Sequence, residues 1–246
     1  MPDKRAHRGP HPEDACSFAL GAWPALKAAV ADLSWLLSHG YADKSSLKLV
    51  GDRYTLTQRQ RTAVMRCACS DEALARRRAH ELAANDIAGR PILLDGYNVL
   101  TTIEVGLSRG VILEARDGCY RDIASMHGTF RTVRETAPAV TLIGEALTAI
   151  GVADAHWYLD SPVSNSGRLK TLIRGIAESH NWPWRIELVP DPDAVLAKAT
   201  KAVATSDSVI LDRCGRWFNL ARFVVQTRLP DAVVVPLADA TSPHPA

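Results

Sequence analysis

The sequence predicts an α/β fold in which a mainly parallel central sheet lies between two layers of helices, with a small all-helical domain before it. Two patterns lead to this prediction. Before residue 90, apolar residues recur at three- and four-residue steps without strand-like alternation, which is typical of amphipathic helices. After residue 90, short apolar segments alternate with helical segments, which is typical of parallel strands joined by helical crossovers. Helices must then cover both faces of the sheet, which gives three layers.

The composition is that of an ordinary globular protein. The chain has 246 residues, of which 47% are hydrophobic and 23% are charged, so it is long enough to bury a substantial core. Its formal net charge of +2 is too small to indicate a nucleic-acid-binding protein by itself.

The cysteines and the hydropathy pattern predict a cytoplasmic protein without a membrane-spanning segment. The cysteine count is five, an odd number, and the sequence shows neither a secretory signal pattern nor a long uninterrupted apolar run. Cys67 and Cys69 are separated by one residue, whereas zinc-binding pairs usually have about two to four residues between them. We therefore expect buried thiols rather than a zinc site.

Four segments are predicted along the chain. Residues 1–15 are rich in proline, histidine and charge, and we expect a flexible N-terminus there. Residues 16–88 are expected to form the helical, arginine-rich domain, and residues 89–240 the α/β domain. Residues 241–246 are expected to form a flexible tail.

Helical periodicity is clearest in the first domain. The spacing of leucine and valine predicts a helix over 24–38 that ends before Gly40, since glycine is common just after a helix. The stretch SSLKLVGDRYTLT is predicted to be a turn or a short extended segment. A second helix is predicted to begin near Thr57, and a third to follow the cap sequence Ser-Asp-Glu and end at Leu82.

Arginines are concentrated in this helical domain. They are Arg53, Arg59, Arg61, Arg66, Arg76, Arg77 and Arg78. Because guanidinium groups donate to phosphate oxygens through a fork-shaped set of N–H groups, these residues could form an RNA-binding surface. A solvated helix face, partly paired with acidic neighbours, is an equally good interpretation, and the arginines alone do not decide between the two.

The α/β segment is predicted as an alternation of strands and helices. The predicted strands are 91–94, 156–159, 185–189, 203–204 and 232–237. The predicted helices are 140–150, 167–179, 193–199 and 214–227. Residues 104–134 are interpreted as an insertion between the first two strands.

Acidic residues follow four of these strands. Asp95 and Asp160 directly follow the first two strands, Asp193 opens the helix after the third, and Asp207 comes shortly after the fourth. Ligands of open α/β sheets bind outside the carboxyl ends of the strands, so we expect these carboxylates to converge. Converging carboxylates repel one another unless a cation lies between them. A helix cap or a turn is the alternative for any single one of them, but together they predict a metal site.

Mg²⁺ or Mn²⁺ is the expected cofactor of such a site. Mg²⁺ prefers oxygen ligands and is commonly held by a few carboxylates, water and phosphate oxygens. The matching reaction is hydrolysis of a phosphodiester, because a metal ion activates water and neutralises the charge that develops on the attacking and leaving oxygens. The four aspartates would then be catalytic as metal ligands.

Three short motifs resemble those of the NYN branch of the PIN-like ribonucleases. They are LLDGYNV, WYLD, and DPDAVLAKA followed by ATSD. The resemblance identifies residues 89–240 as a PIN-like nuclease domain, in which Asn98 is implied to lie beside the phosphate path. The site residues that the resemblance implies are Asp95, Asn98, Asp160, Asp193, Ser206 and Asp207.

The whole chain also resembles a prokaryotic family that joins a helical "domain of unknown function 434" to a PIN-like domain. The strings that carry this resemblance are RGPHPED, KLVGDRYTLTQRQR and DSPVSNSGRL. It implies a two-domain layout and no particular biochemical activity.

The insertion and one polar loop hold further candidate residues. A PIN-type site often has another acidic ligand from the region of the insertion, for which Glu104 and Asp117 are candidates, with solvated surface as the alternative. Asn165 and Arg168 lie in a loop of small polar residues before a predicted helix, where backbone N–H groups can bind phosphate. They are candidate substrate-binding residues, with an ordinary helix cap as the alternative.

The leading hypothesis is a metal-dependent endoribonuclease, with RNA as the expected partner and a homo-oligomer left open. The alternative is a non-catalytic RNA-binding or adaptor protein with a degenerate PIN-like site. A haloacid-dehalogenase-like phosphohydrolase is disfavoured because its Asp-x-Asp-x-Thr motif is absent around Asp95. A dinucleotide oxidoreductase is disfavoured because no G-x-G-x-x-G follows the first strand.

Overall fold

A computed structural model describes residues 7–123 and 130–238. It has the predicted α/β architecture, with a helical region before a parallel central sheet that carries helices on both faces. The predicted tail at 241–246, the first residues of the predicted flexible N-terminus and part of the insertion lie outside the described residues. No helix within the described ranges is long and apolar enough to cross a membrane.

The N-terminal region is helical, as predicted. Its elements are α1 (Asp14–Ser17), a 3₁₀ turn (Leu20–Ala22), α2 (Trp23–Ser38), α3 (Asp43–Arg53), α4 (Gln58–Cys67) and α5 (Asp71–His80). The helices predicted over 24–38 and from Thr57 are confirmed. Thr57 forms a capping box with Gln60, in which each side chain accepts a hydrogen bond from the other's backbone N–H.

The interpretation of SSLKLVGDRYTLT as a turn or extended segment is wrong, because this stretch lies largely within α3. Packing against neighbouring helices outweighs its modest helix propensity. Val50 and Ser46, one turn apart, face the core. Gly51 lies beneath the guanidinium of Arg61, where an added Cβ would come within 2.1 Å of Nη1, so the glycine makes room for this contact.

The third helix ends earlier than predicted, and a strand precedes residue 90. The prediction placed the helix end at Leu82, but α5 ends at His80, and β1 (Glu81–Leu82) pairs in parallel with residues 217–218. The indole N–H of Trp217 donates to the carbonyl of Arg77 at 2.8 Å. This partner lies far away along the chain, so local periodicity could not indicate the strand.

The α/β segment contains the predicted strands and several further elements. The strands are β2 (Pro91–Asp95), β3 (Val111–Glu114), β4 (Tyr120–Asp122), β5 (Asp154–Asp160), β6 (Trp184–Val189), β7 (Ala202–Ala204), β8 (Arg216–Phe218) and β9 (Val233–Pro236). The helices are α6 (Ala84–Ile87), α7 (Gly96–Leu107), α8 (Thr136–Ile150), α9 (Ser166–Ser179), α10 (Pro192–Leu196), α11 (Ser208–Leu211) and α12 (Leu220–Arg228). The single helix predicted over 214–227 is wrong, because its first part is strand β8. A strand of three residues is too short for periodicity to distinguish it from a helical turn.

The central sheet is doubly wound. Within the described residues it has six strands in the order β1-β8-β7-β2-β5-β6, all parallel to their neighbours. The chain builds β2, β5 and β6 in one direction and then returns to add β7 and β8 on the other side of β2. The order therefore reverses between β2 and β7, which is the point where open α/β sheets bind their ligands.

Alternate residues of β2 point into two different helical layers. Ile92 and Leu94 belong to the core under α7, α8, α9 and α12. Leu93 belongs to the core on the opposite face, with Leu196 in α10 and Ile210 in α11. The alternation buries both faces of the strand and makes the predicted three layers.

A second sheet joins the helical region to the rest of the chain. Strand β3 pairs antiparallel with β4 and parallel with β9. Leu113 and Val235 of this sheet share one continuous core with Leu26, Leu33 and Val64 of α2 and α4. The helical region is therefore held to the α/β region by buried apolar surface.

We expect Leu33→Ala to lower the free energy of unfolding by about 2–5 kcal/mol, because it leaves a cavity in this shared core. Leu33 is fully buried, whereas Leu49 on α3 is 63% exposed, so Leu49→Ala is the matched control. Urea unfolding followed by circular dichroism measures both variants. Equal losses in the two variants would contradict the shared core.

Candidate acidic site at the carboxyl edge of the central sheet

Four neighbouring strands end in or lead directly to an aspartate. Asp95 and Asp160 are the last residues of β2 and β5, Asp193 lies in the first turn of α10 after β6, and Asp207 follows β7. Since β7, β2, β5 and β6 are adjacent and parallel, all four residues lie at one edge of the sheet. This edge includes the reversal of strand order between β2 and β7.

Asp95 is the most buried of these four residues. It is 8% exposed, and its Oδ2 accepts a hydrogen bond of 2.8 Å from the hydroxyl of Thr205. Burial raises the pKa of Asp95 to about 7, with the negative charges of Asp207 and Asp193 adding to the effect and the Thr205 hydrogen bond opposing it. The carboxyl group is therefore poised between its neutral and charged forms near neutral pH.

The loop after β7 connects Asp95 to its neighbours. Thr205 Oγ1 accepts a hydrogen bond from the backbone N–H of Asp207 at 3.0 Å while it donates to Asp95. Ser206 donates to Oδ1 of Asn98 twice, from its backbone N–H at 2.8 Å and from its hydroxyl at 2.9 Å. The two sequence motifs DGYN and TSD therefore form a single hydrogen-bonded unit.

Asp207 caps a helix and also belongs to the acidic group. Its Oδ1 accepts from the backbone N–H groups of Val209 and Ile210, so the residue caps α11. Its charge also acts on Asp95 and Asp193. Capping fixes the side chain at the edge of the sheet and does not remove it from the acidic group.

Gly96 allows α7 to start close against β5. A Cβ at this position would lie 2.5 Å from Leu159 Cδ2 and 2.8 Å from the carbonyl oxygen of Tyr158. The second of these contacts is to backbone, which cannot move aside as a side chain can. The glycine after Asp95 therefore permits the close approach of the first residue of α7 to the end of β5.

Asp160 and Asp193 make up the outer part of the acidic group. Partial desolvation raises the pKa of Asp193, with the charges of Asp207, Asp191 and Asp160 adding to it. Burial and the charge of Asp191 raise the pKa of Asp160. Asp191 itself caps α10 by accepting from the backbone N–H of Ala194 at 3.0 Å. The charge of Asp193 therefore interacts with Asp95 and Asp207 on one side and with Asp160 on the other.

Tyr97 adds a buried hydroxyl beside Asp160. The residue is 7% exposed, and burial together with the charge of Asp160 raises the pKa of Tyr97 to about 12. Within the described residues, neither the Tyr97 hydroxyl nor Oδ1 of Asp160 has a hydrogen-bond partner. Both polar atoms are left to bond with water or another molecule.

All four side chains of the acidic group offer carboxylate oxygens, the donor type that hard divalent cations prefer. In the described part of the chain, no three His, Cys, Asp or Glu side chains are placed to hold a metal ion together, so the aspartates do not form a preassembled cage. Mg²⁺ does not need such a cage, because it is usually bound by one or two carboxylates and keeps several water molecules. The mutual repulsion that raises the pKa of Asp95 and Asp193 is what a cation would relieve.

A buried ion-pair network supports the loop after β7. Both oxygens of Asp117 accept from Arg121, at 2.7 and 2.8 Å, and Arg77 donates to Asp117 at 2.6 Å. Arg77 also forms a two-pronged ion pair with Asp212, and Arg121 Nε donates to the carbonyl of Ser206 at 2.8 Å. Although burial opposes ionisation, the two arginines hold the pKa of Asp117 well below its usual range.

The candidate ligands of the insertion lie in other environments. Asp117 belongs to the network just described. Glu104 is fully buried and accepts hydrogen bonds from Arg8 Nε at 2.8 Å and from the hydroxyl of Thr136. The expectation of solvated surface is wrong for both residues, and the carboxylates of both are held by arginine.

Asn165 and Arg168 lie at the start of α9, beyond the end of β5. Asn165 occupies the N-cap position with a φ of +69°, but its side chain makes no capping hydrogen bond and donates instead to the carbonyl of Phe130 at 3.1 Å. Arg168 is exposed. No hydrogen bond in the described ranges joins either residue to the four aspartates, so the structure brings them to the same edge of the sheet without linking them to the acidic group.

Most of the arginine cluster is engaged within the protein. Arg59 pairs with Asp14 and Arg61 with Asp52, while Arg77 is buried in the ion-pair network. Arg76 and Arg78 are exposed on α5. The paired interpretation therefore describes much of the cluster.

The sequence did not indicate three residues that shape this site. Thr205 lies inside the ATSD motif, and its position between a strand end and Asp207 could have marked it as a site residue. Gly96 lies inside DGYN and carried a similar signal. Arg121 carried none, because its partners lie 4 and 85 residues away and nothing local marks them.

Comparison with known proteins identifies the chain's relatives. A family model described as "Domain of unknown function (DUF5616)" matches residues 84–223, and one described as "Protein of unknown function (DUF434)" matches residues 25–80. The chain is 30% identical over 186 residues to an uncharacterized protein of Methanocaldococcus jannaschii, covering 76% of this chain and 88% of that protein. No solved structure matches the chain. The match at residues 25–80 confirms the resemblance to the family with domain of unknown function 434.

We expect the free energy of unfolding of Asp95→Asn to rise relative to that of the wild type as the pH increases from about 4 to about 7 in the presence of a chelator. Across this window, the unfolded state has released the Asp95 proton and the folded state retains it, so deprotonation destabilises the folded wild type. The gap should reach at most a few kcal/mol, since one pKa unit corresponds to about 1.4 kcal/mol. Urea unfolding at several pH values measures it. A gap that is constant with pH would show that the Asp95 pKa is not raised.

We expect Asp117→Asn to lower the free energy of unfolding by about 3–5 kcal/mol, because it leaves two buried guanidinium groups without their shared counter-charge. Asp231→Asn is the control, since Asp231 forms an exposed pair with Arg109 and its loss should have little effect. Chemical unfolding measures both. A small effect of Asp117→Asn would mean that the network is not a structural requirement.

Proposed function

The chain belongs to the family described as "Domain of unknown function (DUF5616)", and we propose that it is a metal-dependent endoribonuclease with a PIN-like catalytic domain. One observation carries the proposal. Four adjacent parallel strands lead to aspartates at one edge of the sheet, and Asp193 interacts through its charge with the other three, Asp95, Asp160 and Asp207. Such a group favours a divalent cation and, through it, a phosphate-bearing substrate.

The proposed metal ligands are drawn from Asp95, Asp160, Asp193 and Asp207, and Mg²⁺ or Mn²⁺ is the proposed ion. When bound, the ion supplies Lewis-acid chemistry for phosphodiester hydrolysis. Asp95 is held in place by Thr205, and it must lose its proton to act as a ligand. Asp193 is exposed, so it is accessible to a substrate or a hydrated ion.

Asn98 is proposed to bind the substrate backbone. Its Oδ1 accepts both hydrogen bonds from Ser206, and this fixes the orientation of the amide. The NH₂ group has no partner among the described residues and can donate to a phosphate oxygen. Ser206 therefore supports Asn98 in this proposal. Asn165 and Arg168, at the start of α9, are proposed to contact the RNA further along the same edge.

The alternative is a non-catalytic RNA-binding or adaptor protein with a degenerate site. The absence of a preassembled set of three ligands in the described residues favours it to some extent. The proposal also places the protein in the cytoplasm, where the five free cysteines would stay reduced. The two candidate functions differ in whether the protein cleaves RNA.

We expect the wild-type protein to cleave an end-labelled single-stranded or hairpin RNA only with Mg²⁺ or Mn²⁺, and Asp95→Asn to reduce the rate by about 100-fold or more because it removes a central charge of the site. Asp231→Asn, on an exposed loop near β9, is the matched control and should retain full activity. Gel electrophoresis of the products measures the rates, and calorimetry measures Mn²⁺ binding by the same variants.

Two results would contradict the nuclease. Cleavage that persists in Asp95→Asn or in excess chelator would point to a contaminant or to other chemistry. RNA binding without cleavage by the wild type, with no Mn²⁺ binding, would establish the adaptor function in its place.

A further inference from the structure

A cleft lies at the amino edge of the central sheet, opposite the acidic site. Its volume is about 350 Å³, and it lies beside α6 at the start of β2, β7 and β8. The lining residues are Leu82, Asp86, Arg90, Pro91, Thr200, Lys201, Ala202 and Arg216. Pro91 opens β2 and Asp95 closes it, so the cleft is about 13 Å from the acidic site along the strand.

Positive charge converges on this cleft. Arg90, Lys201 and Arg216 line it, and within the described residues none of the three takes part in an ion pair or a side-chain hydrogen bond. The neighbouring arginine at the same edge behaves differently, since Arg185 pairs with Asp154 at 3.2 Å. The whole chain has a net formal charge of only +2, so three cations around one cleft are a local concentration. Such a concentration attracts an anion.

The one acid in the cleft, Asp86, leaves the lining with a net positive charge. Asp86 Oδ2 accepts a hydrogen bond of 2.9 Å from the backbone N–H of Ala83 and closes the first turn of α6. Asp86 makes no ion pair within the described ranges. The cleft therefore offers three cationic donors and the Thr200 hydroxyl to an anion, and one carboxylate to a neutral donor group of the same ligand.

The floor of the cleft is apolar. Its apolar lining residues are Leu82, Pro91 and Ala202, which are half-buried. A simple anion such as inorganic phosphate would leave this surface unused, whereas a ligand with a flat apolar part would cover it. The volume is within the range of small-molecule sites, which is about 300–1,000 Å³.

From these features, we propose that the amino-edge cleft binds a phosphate-bearing small molecule of nucleotide size, such as a nucleoside monophosphate. The phosphate lies against Arg90, Lys201 and Arg216, and the base or sugar lies on Leu82 and Pro91. Asp86 accepts a hydrogen bond from a sugar hydroxyl or an exocyclic amine. This site is independent of the proposed nuclease function, because it rests on different residues at the other end of the strands.

Isothermal titration calorimetry of the full chain with adenosine 5′-monophosphate tests the proposal, with inorganic phosphate and adenosine as the partial ligands. We expect the monophosphate to bind more tightly than either part and its affinity to fall as salt is added. The double variant Lys201→Ala with Arg216→Ala should weaken binding by about tenfold or more, since it removes two cations from the phosphate. The charge-matched control is Arg174→Ala on α9, since Arg174 is exposed and has no ion pair among the described residues, and it should change the affinity by less than about twofold.

Three outcomes would overturn the proposal. Binding of inorganic phosphate as tight as that of the monophosphate would show a simple anion site without recognition of the apolar part. Binding that is lost in Asp95→Asn but kept in the Lys201 and Arg216 double variant would place the ligand at the acidic edge. No detectable binding of the monophosphate by the wild type at low salt would show that the cleft is an ordinary solvated surface.

Discussion

The carboxylate of Asp117 holds together three parts of the chain that are far apart in sequence. It pairs with both Arg77 of α5 and Arg121 of β4, and Arg121 in turn donates to the backbone of Ser206. All of these charged groups are shielded from water, so each depends on its partners to offset its desolvation. The helical region, the second sheet and the loop of the acidic site are therefore positioned by one set of ion pairs.

The geometry of the acidic edge depends on this ion-pair network. Arg121 fixes the loop after β7, Ser206 of that loop fixes Asn98, and Thr205 fixes Asp95. The hydrogen bonds orient the side chains, while the sheet brings like charges together at a cost in free energy. Burial and neighbouring charge shift the pKa of Asp95 toward neutrality as a result. The charged form of Asp95 therefore carries a free-energy cost that the hydrogen bond from Thr205 only partly offsets.

Parallel strands give the central sheet two chemically different ends. The carboxyl edge carries the aspartates, whereas the amino edge carries the unpaired cations Arg90, Lys201 and Arg216. The two ends share β2 and β7, whose residues alternate between the two helical layers. A chain that is nearly neutral overall therefore presents acidic side chains at one end of β2 and β7 and basic side chains at the other.

The sequence by itself determined the fold class and the acidic edge. Short apolar strands, helical spacing and the aspartates after four of the strands are local patterns, and their repetition along the chain made them recognisable. It did not determine β1, β8, the helix α3 or the Asp117 network, because each depends on partners distant in sequence. Strand pairing, such as Leu82 with Phe218, and buried ion pairing are set by which surfaces meet in the folded chain. Only the tertiary structure decided those contacts, and with them the support of the site.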